Sequence, residues 1–140
     1  MFASLSLFIS SQLFAQADVN EKRQALMKGQ SAAAKAVKGA VEAKEYATIE
    51  TKAKDLMGSA AKIVDYFPKG STTGKTKARA EIWEKWDDFG QSAKNLRTAA
   101  SELADAAKAK DDGAIGVKVK AVSGVCSSCH KAYRADKYSE

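Results

Sequence analysis

The chain has 140 residues, enough for one domain with a buried core and too few for two. It is 45% hydrophobic and 29% charged with a single proline, a composition that excludes a disordered or collagen-like chain and, with its abundant Ala and Lys, predicts an all-helical soluble fold. The formal net charge is +6, but basic residues alternate with acids along every predicted segment, which argues against nucleic-acid binding.

Residues 1–17 differ from the rest. They carry no charge and hold an apolar run through Leu5, Leu7, Phe8, Ile9, Leu13 and Phe14, closed by Ala15, Gln16 and Ala17 in a small-residue cleavage pattern. This reads as a secretory signal peptide cut before Asp18, leaving one domain over residues 18–140. A short buried helix or a membrane anchor is the weaker alternative, and as a spanning segment the run is short and interrupted by Ser4, Ser6, Ser10, Ser11 and Gln12.

Four amphipathic stripes follow, with apolar residues spaced alternately three and four apart. The first, over about 19–38, reads Val19, Arg23, Leu26, Gln30, Ala33 and Val37. Two polar residues interrupt it, as would suit a neighbour with both apolar and charged parts. The second reads Tyr46, Ile49, Ala53, Leu56, Ala60, Ile63 and Phe67, and ends at Pro68. The third runs from Ile82 through Trp86, Phe89, Ala93, Leu96, Ala100 and Leu103 to Ala107 in one register. The fourth holds Ile115, Val119, Val122, Cys126, Cys129 and Tyr133. Gly39, Gly70 with Gly74, and Gly113 are the expected turn positions. The architecture expected is an all-α, antiparallel, up-down-up-down four-helix bundle.

The fourth stripe carries the chemistry. Cys126, Ser127, Ser128, Cys129 and His130 form C-x-x-C-H, the attachment signature of a c-type haem, and they include both cysteines and the one histidine of the chain. Two thiols add across the two haem vinyl groups, and the adjacent imidazole is placed to bind the iron. At about 100° per residue, the three side chains fall on one face of a helix. A thioredoxin-like dithiol would follow a strand, and none is predicted here. A structural zinc needs about four ligands, and no second Cys/His cluster exists. A disulfide would leave His130 without a role. One covalently attached haem c per chain, lodged inside the bundle, is the expected cofactor.

These residues resemble the class II cytochromes c, the family of cytochrome c prime and its low-spin, methionine-ligated relatives. The resemblance rests on the motif's place close to the C terminus with Tyr133 and Arg134 after it, on Arg23, Gln24, Leu26 and Met27 in the first helix, and on Ile82, Trp83 and Phe89 in the third. Ala80 departs from the family, where a proline is frequent. The family implies a four-helix bundle, often a homodimer, with His130 as proximal iron ligand and Met27 on the other haem face. It implies export to the bacterial periplasm, where thioether attachment is completed. It also suggests that Arg23 pairs with a haem propionate and that Arg134 acts on the proximal side.

With His130 on the proximal side, Met27 and Met57 are the thioether candidates after residue 17, and Met57 reads as core packing. Thioether sulfur stabilises reduced iron, which suits an electron carrier. The first reading is therefore a periplasmic electron carrier with His/Met ligation, exchanging electrons with periplasmic redox partners. The alternative is a five-coordinate, high-spin protein that binds nitric oxide or other small gases, with Met27 as a pocket wall. Neither is an enzyme. Lys118, Lys120, Lys131, Arg134 and Lys137 lie on the motif-bearing segment as a candidate surface for acidic partners, and Ala32, Ala36, Ala40 and Ala43 would allow close contact between subunits.

Overall fold

The computed structural model describes the backbone of residues 6–139 and the side chains of residues 17–139. The expected signal peptide therefore lies outside the described side chains up to residue 16. Five α-helices follow in order: α1 Ser6–Glu42, α2 Tyr46–Ala60, α3 Glu81–Glu84, α4 Trp86–Lys108 and α5 Asp112–Tyr133, with a 3-10 turn at Val64–Tyr66. Helices α1, α2, α4 and α5 form the bundle, with α2 packed on α1 and α4, and α4 on α5. Among the described residues there is no strand, and no helix is long and apolar enough to cross a membrane.

The core follows the stripes. Ile49, Ala53, Leu56 and Ala60 of α2 are buried against Phe89, Ala93, Leu96, Ala100, Leu103 and Ala107 of α4. Large residues alternate with alanines on both helices, so the side chains of one enter the gaps of the other. Burying each Ile or Leu is worth about 1.5–3 kcal/mol. Asp111 caps α5 by accepting from the Ala114 backbone N–H at 2.9 Å.

Four expectations need correction. The third stripe is not one helix: it breaks at Lys85 (φ −119°, ψ 48°) into α3 and α4. The break re-aims the stripe, so Ile82 and Phe89 are buried while Trp86 is 38% exposed. The second helix stops at Ala60, and Ile63 and Phe67 reach the core from the turn and the loop after it. Gly39 and Gly113 lie inside helices; the left-handed residues at the two tight turns are Lys44 and Lys110, each at φ +54°. Ala40 is 4% exposed in the chain's own core, so it is not available to a second subunit.

Gly70 (φ +81°) and Gly74 (φ +76°) do occupy left-handed positions in the long connection. Gly74 has a second reason to lack a side chain, because a Cβ there would meet Asn20 Nδ2 at 3.2 Å. Asn20 itself donates to the Thr73 carbonyl oxygen at 3.1 Å, fastening the loop to α1.

Candidate haem site

A cavity of about 430 Å³ opens between α1, α5 and the loop that joins α2 to α3. Helix α1 contributes Arg23, Gln24, Met27 and Lys28; α5 contributes Cys129, His130 and Tyr133. Phe67, Ile82 and Phe89 supply an apolar wall. The first and last helices of the bundle therefore bring Met27 and His130, remote in sequence, into one chamber. Phe89 lies edge-on to Phe67 at 4.9 Å and to Tyr133 at 5.3 Å between ring centroids, which fixes the shape of that wall. A second groove of about 520 Å³, lined by Ala25, Gly29, Ala32, Ala36, Lys52 and Asp55, runs between α1 and α2, and holds no motif residue.

The motif stands on one face of α5. Cys126 and Cys129 are unpaired thiols, half-buried against the core. Burial raises the pKa of Cys126, and burial followed by the nearness of Cys126 pushes that of Cys129 up to about 11. Burial thus disfavours the thiolate at both sulfurs. Burial, then Arg134, lowers the pKa of His130 and favours the neutral imidazole, the form that binds a metal. Among the described residues no group of three or more His, Cys, Asp or Glu could hold a metal ion, so the zinc alternative has no ligand cluster.

Arg23 is the most constrained polar residue of the site. It is 4% exposed. Its Nε donates to the Tyr66 carbonyl, Nη1 to Asn20 Oδ1 and the Ser71 carbonyl, both at 3.0 Å, and Nη2 to Ser71 Oγ. Four of the five guanidinium N–H donors thus have neutral partners in the chain, and one remains. No carboxylate offsets the charge, and burial lowers its pKa to about 10. Gln30, two turns further on the same helix and also buried, leaves Nε2 without a partner.

Beyond the motif, α5 ends at Arg134, whose backbone N–H returns to the His130 carbonyl at 2.9 Å. The extended tail then runs antiparallel to residues 76–79: Ala135 donates to the Lys77 carbonyl at 2.8 Å, Ser139 to Thr76 at 2.9 Å, and Arg79 to Tyr133 at 3.0 Å. Trp83 Nε1 donates to the Phe67 and Pro68 carbonyls, both at 3.1 Å, and holds the loop from its other side. Sequence reading missed Asn20, Ser71, Lys77 and Tyr138 as members of this region.

Of the sequence-predicted site residues, Arg23, Met27, Cys129, His130 and Arg134 line the cavity, and Cys126 lies one turn back on α5. Met57 packs against the core, outside the cavity. The donor set fits a haem: two thiols and an imidazole on one helix face, an apolar wall, and a desolvated cation with no counter-charge.

The family model described as Cytochrome C' matches residues 18–134. The chain is 44% identical over 71 residues to cytochrome c' of Rhodospirillum rubrum, half of this chain and 48% of that protein. It spans about half the length of that relative. It is 32% identical over 120 residues to cytochrome c-556 of Agrobacterium fabrum, covering 84% of this chain and 81% of that one. In structure it is similar to a nitric oxide complex of a cytochrome c prime variant from Alcaligenes xylosoxidans, with a TM-score of 0.78, 25% identity, and coverage of 87% and 97%. The chain belongs to the cytochrome c' family and carries covalently attached haem c.

Proposed function

We propose that this is an exported haem protein that binds nitric oxide or other small gases. Cys126 and Cys129 form the thioether links, His130 is the proximal iron ligand, and Met27 forms part of the distal wall. The observation that carries this reading is the apolar wall of Phe67, Ile82 and Phe89 in the cavity that Met27 also lines, since a small apolar diatomic is favoured beside apolar side chains. The nitric oxide complex of the Alcaligenes protein supports it. Arg23, desolvated and without a carboxylate, takes a propionate with its remaining N–H, and Arg134 borders the proximal side. Export is supported by the family match, which begins at residue 18, just after the expected cleavage pattern. The bacterial periplasm is the proposed location, and the α1–α2 groove of small residues would accommodate a second subunit.

A second reading is favoured by one observation. Met27 is the one methionine among the cavity-lining residues, so it is the available thioether for a six-coordinate, low-spin electron carrier. Ferric spin state separates the two. Gas binding predicts a high-spin wild type in which Met27→Leu alters gas affinity but not spin state. Electron carrying predicts a low-spin wild type that Met27→Leu converts to high spin, with faster carbon monoxide binding. A low-spin wild type would overturn the gas-binding reading.

A further inference from the structure

The charges around the cavity mouth are segregated. Its lining includes Arg23, Lys28, Lys77 and Arg134 and no Asp or Glu, in a chain with 17 acidic residues against 23 basic ones. The described residues form six ion pairs, and none uses any of these four cations. Lys118, one of the residues expected from sequence to meet a partner, is instead paired with Glu102 at 2.8 Å. Six carboxylates elsewhere in the bundle are paired, five with lysines and one with Arg79, while the charged side chains lining the mouth are all cations.

Two propionates of a bound haem would offset two of those charges. With Lys75, which lies just outside the lining, the mouth has five cations, and the four besides Arg23 come from three parts of the chain: Lys28 from α1, Lys75 and Lys77 from the loop, and Arg134 from the tail. Lys75 and Lys77 both lie over the Tyr138 ring, with Nζ at 5.4 and 4.8 Å from its centroid. Tyr138 lines the mouth and is 45% exposed. Lys77 Nζ also donates to the Asp136 backbone carbonyl at 2.9 Å, so the tail holds this cation in place. The charges are spread along an exposed rim around an aromatic residue. That pattern suits a protein face better than a single small anion, because protein interfaces favour Tyr and Arg at their contacts.

We infer that the rim of Lys28, Lys75, Lys77, Arg134 and Tyr138 docks the acidic face of a one-electron donor protein. One electron leaves the donor's redox centre, ferric haem becomes ferrous, and no atom is transferred. The inference rests on the haem being redox-active and is independent of whether Met27 binds the iron. Positive potential at the mouth raises the encounter rate with an acidic partner, and salt screens it over about 8 Å at physiological ionic strength.

The test uses the ferric holoprotein and a reduced, acidic two-iron ferredoxin as the probe. Stopped-flow reduction rates are compared for wild type, Lys28→Glu with Lys77→Glu, and the equal-charge control Lys38→Glu with Lys108→Glu at the other end of the bundle. Amide NMR shifts report binding without electron transfer. Reversal at the rim should slow reduction by about tenfold or more at low salt and abolish shifts near residues 28, 77 and 138, while the control changes the rate by less than about threefold. Wild-type reduction should itself slow steeply as salt rises. Equal losses in both variants, or a wild-type rate indifferent to salt, would overturn the proposal. It is also overturned if ferricyanide oxidation of the ferrous protein follows the rim reversal while ferredoxin binding does not, since the mouth would then serve small anions. Spin state, measured on the wild type, tests the role of Met27 separately from these rates.

Discussion

The guanidinium carbon of Arg23 lies 4.5 Å from the centroid of the Phe67 ring. One side chain thereby stacks on the cavity wall while its N–H groups hold the loop at Tyr66 and Ser71. Replacing Arg23 with Leu removes the stacking and leaves two backbone carbonyls, the Asn20 amide oxygen and the Ser71 hydroxyl without their donor. The loss should be roughly 2–4 kcal/mol in urea unfolding of the holoprotein. Arg23→Lys should recover only a minor part, because an ammonium cannot reproduce the guanidinium fork. Full stability in the Lys variant would show that charge alone matters there.

Covalent attachment gives a direct prediction at the motif. Wild-type protein made with a haem-attachment system should keep its haem through denaturation and acidic acetone, and its intact mass should equal the chain from Asp18 plus one haem. Cys126→Ala with Cys129→Ala should release the pigment under the same treatment.

At the far end of the bundle, Asp112 accepts from Lys44 Nζ at 2.7 Å and from the Tyr46 hydroxyl at 2.9 Å, tying the start of α2 to the start of α5. Those partners lower the pKa of Asp112 in the folded protein. A depressed folded pKa means that the contribution is complete above the ordinary aspartate range and is lost as pH falls through the folded value. Asp112→Asn should therefore lower the melting temperature at neutral pH, and the difference from wild type should vanish under strong acid. A difference that persisted unchanged there would assign the effect to Tyr46 or to the turn at Lys44.

Leu103 is fully buried in α4, away from the cavity lining. Leu103→Ala should cost about 2–5 kcal/mol in denaturant unfolding and leave the haem spectrum and gas affinity unchanged. A shifted spectrum would mean that the α2–α4 core is coupled to the site.

The bundle was legible because its stripes keep helical spacing, and the motif because covalent attachment requires neighbouring residues on one turn. Met27 lies outside the apolar stripe and was reached through the resemblance, as the residue one turn after Arg23. Arg23 and Gln30 interrupt the first stripe, and both are buried, so the polar interruption did mark a face of the core. The partners of Arg23 were not legible, since they lie 43 and 48 residues away in a loop with no periodic pattern. The break at Lys85 was hidden because the register of apolar residues continues across it. Lys44 and Lys110 took left-handed turns that glycine ordinarily fills, and nothing local in the sequence marks them. The tail that pairs with residues 76–79 carries no alternation that would announce a ribbon.

Both thiols and the imidazole of the motif project from α5, whereas Met27 belongs to α1. A fluctuation that parts these two helices would leave the tethered group with one of them and open only its other side to solvent. Exchange at the haem is therefore expected to be lopsided: kinetically inert toward α5, and labile toward α1 at the frequency with which the bundle breathes.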